Sequence, residues 1–202
     1  LRVYNTESKQ TRTLLTDRHL FSNGDADQYF QWSPDGRWIL FDYAVPGFAP
    51  GEVGLVRADG TGEVINLTRS GFHDRGARWI LGGKGMLWLS NRDGLRAAAQ
   101  SGGAQLDAYA MFFTQEAWDR FRLTKEELAL VKEIEEKREK EKKEKAEAAK
   151  DEEKKKDAKD KEAKPEEVVI DLDGIEVRKA RLTIHSSSLG DALVSKDGDT
   201  LY

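Results

Sequence analysis

Apolar and polar positions alternate in short runs along most of this chain, and the runs come in pairs separated by turn residues. Over Tyr29–Tyr43 the sequence YFQWSPDGRWILFDY predicts a strand at 29–32, a turn at Ser33-Pro34-Asp35-Gly36 and a second strand at 38–43. Pro34 presets φ for the first central position of such a turn, Asp35 can bond the backbone ahead of it, and Gly36 accepts a positive φ at no Cβ cost. Ala77–Ser90 (ARWILGGKGMLWLS) repeats the pattern around Gly82-Gly83, and Ala192–Tyr202 (ALVSKDGDTLY) repeats it around Asp197-Gly198. Two further strands, 53–57 and 63–67, flank the turn Asp59-Gly60-Thr61-Gly62. Leu1–Tyr4 and Thr11–Leu15, joined by a polar turn at Glu7-Ser8-Lys9, read as the last two strands of another unit. Ser22–Asp27 and Val45–Gly51 read as loops.

The spacing shows what the units are. Strands 29–32, 38–43, 53–57 and 63–67 make one four-stranded unit. Trp32 and Trp79 hold equivalent places 79 − 32 = 47 positions apart. The dipeptide Leu67-Thr68 returns as Leu182-Thr183, with 182 − 67 = 115, and Val194 follows Trp79 by the same 194 − 79 = 115. The second unit therefore exceeds the first by 115 − 47 = 68 residues. A four-stranded repeat of about 40–50 residues is the size of a β-propeller blade. Setting aside 115–165 leaves 202 − 51 = 151 residues, or about 3.2 such units, below the usual minimum of about four blades. The expected fold is mostly β: an incomplete propeller of about three blades of four antiparallel strands, a piece of a larger protein.

Most of the excess is one helical, charged insertion. Thr124-Lys125-Glu126-Glu127 is a capping box, and Leu123 and Leu128 stand where a hydrophobic staple would place them. Leu128, Val131 and Ile134 line one face, with Leu130 beside it, and predict a docked helix. Beyond Ile134 the stripe stops. Residues 132–164 hold 14 Lys/Arg and 13 Asp/Glu. They predict either a single solvated helix held by Glu/Lys pairs of about 0.2–0.5 kcal/mol each or a frayed segment. No a/d repeat continues, which argues against a coiled coil. Strands resume at Val168–Leu172 and, after Asp173-Gly174, at Val177–Leu182. The expected organisation is 1–113 propeller, 114–165 insertion within a blade, and 166–202 propeller resumed.

Charge adds one exclusion. The whole chain carries −4, and without the charged run 19 basic residues face 24 acidic ones, 19 − 24 = −5. That balance argues against a nucleic-acid partner. The chain has no cysteine, so disulfides and thiolate metal sites are excluded. No apolar run approaches the roughly 18 residues of a membrane span, and LRVYNTESKQ lacks a signal-peptide pattern.

Candidate chemistry is sparse. His19, His73 and His185 share no ligand spacing, and His73-Asp74-Arg75 reads as an inter-blade turn with a local ion pair rather than an acid–base pair. The serines lack a G-x-S-x-G context, and Ser186-Ser187-Ser188 reads as a connector. Gly82-Gly83-Lys84-Gly85 precedes a strand, not the helix of a phosphate loop, so a hairpin turn is expected. Asp25, Asp27 and Asp107 fit no calcium-loop spacing. Trp32, Trp38, Trp79 and Trp88 are expected in the core between sheets, and Trp118 with Phe121 as the anchor of the inserted helix. No catalytic, cofactor-binding or metal-ligating residue is assigned, and no cofactor is expected.

W-S-P-D-G ahead of an apolar strand resembles the blade signature of TolB-like and prolyl-oligopeptidase-like propellers. The run Asp107–Glu127 (DAYAMFFTQEAWDRFRLTKEE), a Lys/Glu tract and then Ile170–Thr183 (IDLDGIEVRKARLT) resemble the N-terminal propeller of bacterial tricorn-like serine proteases of the tail-specific class. That resemblance implies a non-catalytic propeller ahead of PDZ and protease domains, which lie outside this chain. It implies a role in shaping the access of peptides or unfolded polypeptides to the active site and in assembly, a homo-oligomer included, in the periplasm. A TolB-like propeller acting as a protein–protein binding module is the alternative.

Overall fold

A computed structural model describes residues 1–16, 19, 28–43, 51–96, 104–150 and 166–202. The expected loop Ser22–Asp27, nearly all of Val45–Gly51 and the run 151–165 lie outside the described residues.

Two antiparallel four-stranded sheets form the body. The first runs in the order β3 (Phe30–Trp32), β4 (Trp38–Tyr43), β5 (Glu52–Arg57), β6 (Ile65–Asn66). The second runs β7 (Asp74–Ile80), β8 (Gly85–Ser90), β9 (Asp107–Phe112), β10 (Lys179–Arg181). A two-stranded ribbon, β1 (Arg2–Tyr4) with β2 (Thr11–Thr13), precedes them. A hairpin closed by the Val194–Leu201 bridge follows them. The 47-residue offset is real register: Gln31 faces Leu40 and Trp32 faces Ile39, as Arg78 faces Leu87 and Trp79 faces Met86.

The sheets stack as successive blades because each is apolar on both faces. Leu40, Val53 and Leu55 of the first sheet meet Ala77, Met86, Trp88 and Met111 of the second. On its other face the first sheet packs Ile39, Phe41 and Val56 against Leu1, Val3 and Leu15 beside the ribbon. The far face of the second sheet packs Leu87, Leu89, Ala110 and Phe112 against Ala117 of the insertion and against Ala192, Val194 and Leu201 of the hairpin. The fold is a mostly β arc of propeller blades carrying an inserted helix.

Turn chemistry repeats with the blades. Ser33 Oγ donates to Asp35 Oδ1 at 2.6 Å and accepts from Trp38 N at 2.9 Å. Ser195 Oγ likewise donates to Asp197 Oδ1 at 2.5 Å and accepts from Thr200 N at 3.0 Å. Gly36 (φ 71°) and Gly198 (φ 82°) take the left-handed position that a Cβ would strain.

Three expectations need correction. Val168–Leu172 is not a strand: its amides go to other partners, Val168 N to Asp35 Oδ2 at 2.8 Å and Asp171 N to the Phe113 carbonyl at 2.9 Å. The final strand is only Lys179–Arg181, after a 3-10 turn at Ile175–Val177. Trp88 is fully buried and Trp38 and Trp79 half-buried, but Trp32 is 42% exposed.

Candidate functional site

The insertion leaves the second blade between its third and fourth strands, on the face that carries the Ser33–Gly36 and Leu81–Lys84 turns. Thr114 Oγ1 accepts from Ala117 N at 3.2 Å and caps α1 (Gln115–Phe121). Trp118 and Phe121 then pack in tilted contacts on Phe112 with ring centroids 5.7 and 4.6 Å apart, the anchor that the sequence predicts. The capping box closes at both bonds, Glu127 N to Thr124 Oγ1 at 3.2 Å and Thr124 N to Glu127 Oε2 at 2.8 Å. It starts α2 (Lys125–Lys150), one continuous helix.

That helix docks less than its apolar stripe predicts. Leu128 and Val131 are half-buried, but Leu130 is 58% and Ile134 41% exposed. Polar contacts hold its base instead: Arg120 grips Glu135 at 2.6 and 3.1 Å, and Lys132 approaches Asp199 of the hairpin at 3.9 Å. The Arg120 hydrogen bonds hold the Glu135 carboxyl below its ordinary range and raise the guanidinium in return. Farther along, Lys137 bonds Glu133 at 2.7 Å, one of the expected i,i+4 pairs.

The returning chain staples the two blades. Arg37 of the first blade pairs with Glu167, and Asp35 holds the Val168 amide. Val168 fills the space over Gly83, where a Cβ would stand 2.5 Å from its Cγ2. Arg178, 3% exposed, donates to the carbonyls of Phe112, Asp171 and Asp173 at 3.2, 2.5 and 2.7 Å. A buried guanidinium spread over three carbonyls fixes where the insertion re-enters the sheet.

Between the helix base, the turn and this return lies a cavity of about 740 Å³, lined by Lys84, Glu116, Arg120, Glu135, Arg138 and Glu166 among others. Its size is that of a ligand site. Its walls are charged with both signs and include no histidine, serine or tyrosine. Thr114 is its one hydroxyl side chain, beside Lys84 and the carboxylates of Glu116, Glu135, Glu166 and Glu167.

The opposite face holds buried acids. Asp74 is fully buried. It accepts from Arg92 at 3.0 Å through both oxygens, from Trp88 Nε1 at 3.1 Å and from Ser70 Oγ at 2.5 Å. The expected local pair with Arg75 is thus replaced by Arg92, whose guanidinium also lies 4.7 Å from the Tyr109 ring centroid. His73 Nδ1 accepts from Gly51 N at 3.3 Å, and burial pushes its pKa down, with Arg75 acting in the same direction. Asp42 accepts Gly76 N at 3.0 Å, and burial pushes its carboxyl up to about 6 against that bond and the Arg75 charge.

Other singled-out residues separate. His19 sits by Tyr43 with ring centroids 5.8 Å apart, and His185 is exposed. Ser186 donates to Asp107 Oδ2 at 2.7 Å. Gly82 and Gly83 form the β7–β8 turn. Asp25 and Asp27 lie outside the described residues. Among the described residues no group of three or more His, Asp or Glu side chains is placed to hold a metal ion. No described helix is long and apolar enough to cross a membrane.

No family model and no curated protein matches this chain. Among solved structures it is similar to one described as "putative TolB from Agrobacterium tumefaciens", at 20% identity with a TM-score of 0.41. The match covers 55% of this chain and 36% of that one, so the chain spans about a third of its length. The blade arrangement rests on the sheet order, register and apolar layers described above.

Proposed function

We propose that this chain is a non-catalytic propeller segment of a tricorn-like serine peptidase, shaping the access of peptides or unfolded polypeptides to a protease domain outside it. The observation that supports this most is the insertion itself. DAYAMFFTQEAWDRF forms the third strand and then α1, whose Trp118 and Phe121 seat on Phe112, and the fourth strand returns only at Lys179. A blade interrupted there by a helix and a Lys/Glu tract is the feature by which the sequence resembles that family. The cavity at the helix base, walled by Lys84, Arg120, Arg138 and four glutamates, is suited to polypeptide rather than to small apolar ligands. A periplasmic setting and downstream PDZ and protease domains belong to the same reading.

The TolB-like binding module is the second reading, favoured by the two stacked four-stranded blades. The test is the reading frame and its product. The expected result is that the sequence after Tyr202 encodes a PDZ-like and a serine-protease domain. The full product should degrade an unfolded protein substrate, while residues 1–202 alone should not. A frame that stops after a closing blade would give the module reading instead, and turnover by residues 1–202 alone would overturn both.

A further inference from the structure

One carboxylate at the root of the insertion has cations gathered around it. Glu135 sits on α2, and Arg120 of α1 meets it fork to fork, Nη1 to Oε1 at 2.6 Å and Nη2 to Oε2 at 3.1 Å. Lys84 of the β7–β8 turn and Arg138, beside Glu135 on α2, line the same cavity. Their charges add to the Arg120 hydrogen bonds in holding the Glu135 carboxyl below its ordinary range. Neither Lys84 nor Arg138 forms an ion pair of its own among the described residues. The Arg120 and Glu135 side chains stay 38% and 51% exposed, so solutes reach the pair.

An exposed ion pair contributes little net stability, and an arginine fork accepts any carboxylate that presents the same two oxygens. The helix carrying Glu135 is also lightly anchored. Leu130 and Ile134 remain exposed, and Lys132 only approaches Asp199 at 3.9 Å. The cavity measures about 740 Å³, far more than one carboxylate fills. Its lining carries Glu116 and Glu166, which repel a polyanion, and the exposed Val169, which offers an apolar surface. A nucleic acid or polyphosphate is therefore disfavoured. A polypeptide segment satisfies every wall, with an acid for the cations, a base for Glu116 and Glu166, and a short side chain against Val169.

We propose that Lys84, Arg120 and Arg138 form a carboxylate-binding site for acidic residues of an extended polypeptide, and that Glu135 fills this site until a ligand carboxylate displaces it. Displacement exchanges one carboxylate for another at Arg120 and needs no covalent step. It also removes the two-point grip on the root of α2, so occupancy of the cavity and seating of the helix exclude one another. The helix is thus a built-in competitor for its own site. This inference rests on the reading of the cavity as a polypeptide site, but binding by residues 1–202 is measured without any protease domain. A reading frame with no protease would leave the site standing, and a chain that binds no peptide would leave the access reading standing.

The test is calorimetric titration of residues 1–202 with the capped peptide acetyl-Ala-Glu-Ala-Lys-Ala-amide. In an extended chain its Glu and Lys lie on one side, about 6.5–7 Å apart, and capping removes the terminal charges. The chain should bind this peptide, and should bind the same peptide with Gln in place of Glu at least about tenfold more weakly. Lys84→Glu and Arg138→Glu, at exposed positions that leave the fold intact, should each weaken binding at least about tenfold. Glu135→Gln keeps the side chain's size and removes the competitor, so it should tighten binding at least about threefold. The chain has no native cysteine, so nitroxides at Glu63→Cys and Glu141→Cys report where the helix sits. Saturating peptide should broaden their distance distribution. No binding, equal binding of the Gln peptide, no gain in Glu135→Gln or an unmoved helix at saturation would overturn the proposal. So would displacement of the peptide by a lower concentration of inorganic tripolyphosphate, which would make this a phosphate site.

Discussion

Thr68 and Thr183, 183 − 68 = 115 positions apart, make the same contact in two blades. Thr68 Oγ1 donates to Glu52 at 2.5 Å and accepts from Val53 N at 3.0 Å. Thr183 Oγ1 donates to Asp107 at 2.7 Å and accepts from Ala108 N at 3.3 Å. Each ties the end of a fourth strand to a buried acid at the start of the third, which explains why the Leu-Thr dipeptide recurs. Replacing either threonine by valine keeps the shape and removes the hydroxyl, so the carboxylate loses a donor and an amide loses an acceptor. Thr68→Val and Thr183→Val should each cost about 1–3 kcal/mol in urea unfolding. The corresponding Thr→Ser should recover most of that loss, and equal losses in Val and Ser variants would place the effect in packing.

Asp107 should make stability acid-sensitive. Burial opposes its ionisation, but hydrogen bonds from Ser186, Thr183 and Arg181 and the Arg181 charge outweigh it and hold the carboxyl below its ordinary value. With a folded pKa below the unfolded one, its contribution is present at neutral pH and lost as pH falls below about 4. Asp107→Asn should therefore be more destabilising at pH 7 than at pH 2.5, measured as denaturant midpoints.

Asp42 should act in the opposite sense. Its folded pKa is pushed up to about 6 from 3.8. Well below pH 4 the carboxyl is protonated in both states. As pH rises toward 6 the unfolded chain ionises first, and folding loses up to about 3 kcal/mol by pH 7. Asp42→Asn keeps an acceptor for Gly76 N and should raise stability at pH 8 but not at pH 4. A gain of the same size at both values would refute the titration.

The insertion should divide into an anchored root and a dispensable shaft. Trp118→Ala removes a half-buried ring from the Phe112–Phe121 stack and should cost about 2–4 kcal/mol. Deleting 137–164 should leave the β circular-dichroism signal intact and shift the midpoint by no more than about 0.5 kcal/mol. Collapse of the β signal in the deletion would make the shaft structural.

Much of this architecture was legible because it is local. The Ser-x-Asp-Gly turns, the Thr124–Glu127 box and the offsets of 47 and 115 are each set by residues a few positions apart or by simple repetition. What was hidden depends on partners far away in sequence. Val168–Leu172 has the β-branched apolar run of a strand, yet Asp35 and Phe113 take its amides at 168 and 171. Asp74 bypasses its neighbour Arg75 for Arg92, and the acids that give Leu-Thr its meaning stand 16 and 76 positions before their threonines. Trp32 matches Trp79 in place, but is exposed where Trp79 is half-buried. The mixed-charge cavity could not be read at all, since its wall joins Lys84, Arg120 and Glu166 from three separate stretches.

The central claim is that one blade is interrupted between its third and fourth strands and still pairs in register. Cross-strand NMR contacts at Ala110 test it most directly. The structure predicts that Ala110 shows backbone contacts with Leu87 on one side and, across the whole insertion, with Ala180 on the other. Contacts to Leu87 without any to Ala180, with 179–181 paired elsewhere, would contradict it.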